Sequence, residues 1–105
     1  MDRVTHYRQL IEAYLTEQAA ISFVPNTLHY APVFDRERDH YLLLVIGRDR
    51  QERVHRCDIH LAIVEGKVWL QELNADVDVL YDLQRAGIPA NELQDGTQAA
   101  SLVTQ

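Results

Sequence analysis

The chain has 105 residues, which sets the expectation of one domain, 1–105, able to withdraw roughly two-thirds of its unfolded surface from water. Hydrophobic residues at 47% and charged residues at 25% exclude a disordered composition, and ten basic against sixteen acidic residues give a net charge of −6 that opposes unaided binding to a polyanion. No apolar run approaches the ~18 residues of a membrane span, Met1–His6 lacks the apolar stretch of a signal peptide, and one cysteine cannot make an internal disulfide, so the expected setting is the cytoplasm.

Residues 3–20 read as an amphipathic helix. At ~100° per residue, Val4, Tyr7, Leu10, Ile11, Tyr14 and Leu15 share an arc of roughly 140°, and Asp2 is placed to cap the first free amides. From Thr27 the period shortens. Thr27–Asp35 is β-prone, and Pro32, which has no N–H to donate, restricts it to an edge or a bulge. His40–Ile46 is apolar on both alternating faces, as in a central strand covered on both sides, and Gly47–Gln51 reads as a turn. Arg53–Val64 forms a third strand, Glu65-Gly66 a two-residue hairpin, and Lys67–Leu73 a fourth strand. A second helix spans Val77–Ala86, capped by Asn74 or Asp76 and stopped by Gly87 and Pro89. Pro89–Leu93 suits one short helical turn, and residues 96–105 read as a loose tail.

The expected fold is therefore α+β in the order α-β-β-β-β-α. A four-stranded antiparallel meander carries both helices on one face. If the helices take one side of the second strand, its alternate apolar residues need cover from another chain, and a homo-oligomer is the simplest source.

Arg53-Val54-His55-Arg56-Cys57-Asp58-Ile59-His60 concentrates groups that bind metals or act as nucleophiles. Strict strand alternation divides them, with His55, Cys57, Ile59 and Leu61 on one face and Val54, Arg56, Asp58, His60 and Ala62 on the other. This spacing is no zinc signature, and Cys57 beside Ile59 and Leu61 should be desolvated rather than activated as a partner of His55. The glycines are isolated, so no phosphate-cradling loop is present, and Asp35, Glu37 and Asp39 read as a solvated connection. The expectation is a protein without catalytic residues, metal or cofactor. Charge is uneven: residues 36–56 carry a net +2 and residues 65–95 a net −5. Arginine and aromatic side chains suit protein contacts, which makes Arg53, Arg56, His60 and Trp69 the candidate contact residues.

Certain segments also form a familiar ordered set. They are Tyr7-Arg8-Gln9-Leu10-Ile11, Val33-Phe34-Asp35, Asp39-His40-Tyr41-Leu42-Leu43-Leu44, Arg53-Val54-His55, Ile59-His60, Gly66-Lys67-Val68-Trp69-Leu70-Gln71 and Ala86-Gly87-Ile88-Pro89. Together they resemble the XisI-like family, fdxN-element excision controlling factors found mainly in cyanobacteria. The resemblance spans about residues 5–93 and departs from the family at Gly47-Arg48, at Arg56, at Ala75-Asp76-Val77 and through Gln94–Gln105.

The resemblance implies a non-enzymatic accessory protein in site-specific DNA excision, working with an XisH-like partner similar to restriction-endonuclease folds. DNA would then be reached indirectly, through that partner. Two alternatives stand beside it. One is direct DNA binding by the arginine-bearing 36–56 region, and the other is an antitoxin-like restraint of a nuclease partner. An enzyme built on His55 and Cys57 is the third class, for which no assembled site is visible.

Overall fold

In a computed structural model, which describes residues 2–21 and 27–97, an N-terminal helix α1 (Arg3–Ala19) precedes a sheet of β1 (Leu28–Asp35), β2 (His40–Asp49), β3 (Glu52–Val64) and β4 (Lys67–Leu73). Helix α2 (Val79–Ala86), a 3-10 turn (Ala90–Glu92) and a short strand β5 (Leu93–Asp95) follow. Asp2 caps α1 by accepting from the Thr5 amide at 2.8 Å, as its position before the apolar stripe predicts.

The α+β class and the meander from β1 to β4 match expectation, but the sheet has five strands, in the order β1-β2-β3-β4-β5. β5 runs parallel to β4, so the sheet is mixed rather than wholly antiparallel. The crossover through α2 permits this arrangement by returning the chain in the same direction as β4. Leu93-Gln94-Asp95 is too short to show a strand period, and the 3-10 turn before it hides its start. The Pro89–Leu93 expectation is otherwise met by that turn; of the expected loose tail 96–105, Gly96-Thr97 are instead helical, with the Thr97 amide donating to Asp95 at 3.0 Å, and residues 98–105 lie outside the described residues.

β1 is an edge strand, which accommodates Pro32. β2 runs through Gly47 to Asp49 instead of turning at Gly47, and the reversal falls at Arg50-Gln51, with Arg50 at φ 64°. The Glu65-Gly66 hairpin has φ 52° and 79°, the doubly positive geometry that matches the twist of its strands. α2 begins at Val79 and is capped by Asp78, which accepts from the Tyr81 amide, rather than by Asn74 or Asp76.

Both helices lie on one face of the sheet. Tyr7, Ile11, Tyr14 and Leu15 of α1 and Val79 and Leu83 of α2 pack with Tyr41, Leu43, Ile59, Leu61, Ile63, Val68 and Leu70 in a single core. Tyr14 links the two helices by donating to Asp82 at 2.8 Å, and burial raises its pKa above the usual tyrosine value. The β1–β2 turn is tied to α1 by a two-pronged Arg8–Asp39 pair, with contacts of 2.7 and 3.0 Å. The Tyr41 hydroxyl donates to the same Asp39 carboxylate.

Candidate functional site

Among the described residues, no helix lies on the opposite face of the sheet. The cross-strand register orders its side chains into rows. Exposed Val64 and Lys67 begin the face at the hairpin end; Asp35, His40, Ala62, Trp69 and Gln94 form the first row across the sheet, and Val33, Leu42, His60 and Glu72 the second. Ala31, Leu44 and Cys57 follow, then His29, Ile46 and His55, and finally Arg48 with Arg53. The middle of this face is apolar, its rim is charged, and Val33 remains 45% exposed. Leu42, Leu44, Ile46 and Trp69 are only half-buried, whereas their strand neighbours Tyr41, Leu43 and Val45 are sealed under the helices. The two-sided apolar character of His40–Ile46 is thus satisfied on one side alone.

A β-bulge decides which β3 residues reach this face. Leu43 pairs with Ile59 and Leu44 with Cys57, which leaves Asp58 as an extra residue and shifts the alternation by one. His55 and Cys57 consequently share the open face with His60 and Ala62, while Arg56 falls on the helix side with Ile59 and Leu61. The expected division of this segment is corrected accordingly. A strict period of two cannot anticipate an inserted residue.

Asn74 supports the bulge. Its amide donates to the Asp58 carbonyl at 2.7 Å, and its side chain donates to the Cys57 carbonyl at 2.9 Å. Asp58 itself is 2% exposed and accepts from the Arg56 guanidinium at 2.8 Å. A buried carboxylate of this kind needs such a partner to offset its desolvation.

The four candidate contact residues therefore separate. Arg53, His60 and Trp69 lie on the open face, whereas Arg56 lies on the other side and is engaged with Asp58. Sequence reasoning did not place the half-buried Leu42, Leu44 and Ile46 on one side or the other, nor did it single out Glu72. Only the register supplies that information.

His40 Nδ1 and His60 Nε2 are 3.0 Å apart, so one ring donates and the other accepts. Burial, followed by the neighbouring His40, lowers the His60 pKa below 6.5. Burial likewise raises the Cys57 thiol, with Glu72 and Asp58 adding to the effect, so the sulfur is held as a thiol that donates weakly to the Ile59 carbonyl. Among the described residues no group of three or more histidine, cysteine or acidic side chains is arranged to hold a metal ion. No helix among them is long and apolar enough to cross a membrane.

A concavity of about 550 Å³ is lined by Phe34, Asp35, Arg36, Glu37 and Arg38, of which Asp35, Arg36 and Arg38 are already in ion pairs. Arg36 meets Glu12 and Arg38 meets Asp35. The sheet face, not this concavity, is the candidate site.

Comparison with known proteins agrees with the architecture. The chain is similar to a XisI-like protein from Anabaena variabilis ATCC 29413, with 29% identity over 89% of this chain and 85% of that one and a TM-score of 0.82. It is also similar to the fdxN element excision controlling factor XisI from the same organism, with 31% identity over 90% of this chain and 92% of that one and a TM-score of 0.75. Among curated proteins none matches. The family model described as XisI protein matches residues 1–102, and the chain belongs to the XisI family.

Proposed function

We propose that this chain is a non-enzymatic accessory protein in site-specific DNA excision, acting through association with an XisH-like, nuclease-fold protein. Membership of the XisI family and similarity to an excision controlling factor support the excision role. The single observation that carries the mode of action is the open sheet face, an apolar centre with a charged rim on a chain whose other apolar face is filled by its own helices. An apolar sheet face with a charged rim is a usual mark of a protein-contact surface. Arg53, His60 and Trp69 are its proposed contacts, and Arg56 serves the fold by neutralising Asp58.

The net charge of −6 favours reaching DNA through the partner over binding it directly. Affinity isolation of the tagged chain from its host tests the proposal. Stoichiometric recovery of a nuclease-fold protein, with DNA only in that protein's presence, is the expected result. Recovery of DNA alone, with binding by the purified chain that weakens steeply with salt, would replace it with the direct-binding reading. A partner that harms cells alone and is harmless on coexpression would give the accessory role an antitoxin character.

A further inference from the structure

His40 and His60 reach each other diagonally across β2 and β3, His40 standing opposite Ala62 and His60 opposite Leu42. Their rings are tilted by 52° with centroids 5.2 Å apart, so they meet by their edges, His40 Nδ1 to His60 Nε2 at 3.0 Å. Two imidazole nitrogens at this distance share either a proton or a metal ion. At a metal–nitrogen distance of ~2.0–2.1 Å, two nitrogens on one ion stand about 2.9 Å apart at a right angle and about 3.3 Å apart at the tetrahedral angle. The observed separation lies between these values. Small rotations of the two rings therefore aim both lone pairs at one ion while the strands keep their places.

The surroundings suit this use. Burial lowers the His60 pKa and keeps that ring neutral near pH 7, the form that binds a metal. Carboxylates flank the pair, Glu72 opposite His60 and Asp35 opposite His40. Asp35 is held by Arg38, whereas Glu72 is exposed and accepts from the Asn74 side chain. Lys67, one row nearer the hairpin, is separated from His40 by two strand spacings, ~10 Å, and Arg48 and Arg53 stand three rows beyond His60. The Cys57 thiol is turned to the Ile59 carbonyl, and no third donor among the described residues converges on the pair. Two imidazoles without a ring of oxygen ligands match a zinc-like ion and not Mg²⁺ or Ca²⁺.

We infer that His40 and His60 form a two-histidine site for a divalent transition-metal ion of the zinc class, bound through His40 Nδ1 and His60 Nε2 with water in the outward positions. The inference concerns the chain by itself and does not rest on the association reading. Within Arg53–His60 the bulge parts His60 from Cys57, and its partner comes from β2 instead, which is why spacing along the segment shows no motif.

Calorimetric titration of the purified, untagged chain with Zn²⁺, alongside nitrogen NMR of its histidine side chains near neutral pH, tests the inference. One ion should bind per chain, with the His40 and His60 nitrogens shifting together. In the metal-free pair the donor ring carries its proton on the nitrogen facing its neighbour. The metal-bound pair carries its protons on His40 Nε2 and His60 Nδ1, so one ring alone changes tautomer. His40→Gln and His60→Gln should each weaken zinc binding by about tenfold or more, while His29→Gln changes it by less than about twofold. His40 is exposed, so its variant is expected to keep the wild-type circular dichroism spectrum. No saturable binding below about 1 mM Zn²⁺, or undiminished binding by folded His40→Gln, overturns the inference. Zinc-induced shifts confined to His6, His29 and His55 overturn it as well.

Discussion

Asp39 occupies a left-handed position at φ 58°, where Asp and Asn are the side chains best tolerated after glycine. Its carboxylate also receives the Arg8 fork and the Tyr41 hydroxyl. Asp39→Ala loses all three contacts and the conformational preference together, and should destabilise by about 2–3 kcal/mol in a urea titration, with Asp39→Asn milder. The hydrogen bonds from Arg8 hold the Asp39 pKa below 3.8, so the unfolded chain binds the proton more readily. This contribution to stability is full above the unfolded pKa and is lost as pH falls through the folded one.

His60 acts in another window. Because burial depresses its folded pKa below 6.5, the unfolded state takes up the proton first, and stability declines as pH falls beneath about 6.5. His60→Gln should flatten the stability profile between about pH 6.5 and 5 when unfolding is followed across that range. Gly47 offers a third residue-scale test. A Cβ there would collide with the Thr27 carbonyl, at a φ of 144°. Gly47→Ala should therefore cost at least about 2 kcal/mol by the same titration, although the position sits inside a strand.

At the scale of elements, the bulge at Asp58 determines which side of β3 each chemical group reaches, and Asn74 holds it in place from the end of β4. Asn74→Ala should lose about 1 kcal/mol and loosen the His55–His60 segment, visible as faster amide exchange there. Much of the element structure was legible before any coordinates. The 3.6-residue stripe of Tyr7, Ile11, Tyr14 and Leu15, the Asp2 cap, the edge position of Pro32 and the Glu65-Gly66 hairpin each express a local preference that the fold keeps.

The bulge was not legible, because alternation arguments assume an unbroken period and Asp58 breaks it without a glycine or proline to announce it. β5 escaped for a different reason. It is three residues long and is specified by parallel pairing with β4 rather than by its own composition. Of the candidate contacts, the register puts Arg53, His60 and Trp69 on one face, while the inserted residue, Asp58, separates Arg56 from His60 and engages its guanidinium.

The described residues build one completed core and leave one apolar sheet face over. Its helix-side residues Tyr41, Leu43 and Val45 are sealed, yet the intervening Leu42, Leu44 and Ile46 keep part of their surface. A surface that the described residues leave uncovered is the one proposed for association. The lone tryptophan, Trp69, lies on that face and so supplies a built-in probe of it. Labelling the chain with 5-fluorotryptophan gives a single fluorine resonance at this position.

Titrating the labelled, purified chain with unlabelled XisH-like protein while recording that resonance tests the central claim most directly. Burial of the open face by the partner predicts a new resonance that grows to saturation as a stoichiometric complex forms, and its absence from a Leu44→Arg variant that is folded by circular dichroism. Formation of the same complex with the Trp69 resonance unmoved would contradict the claim, because the partner would then be held somewhere else on the molecule.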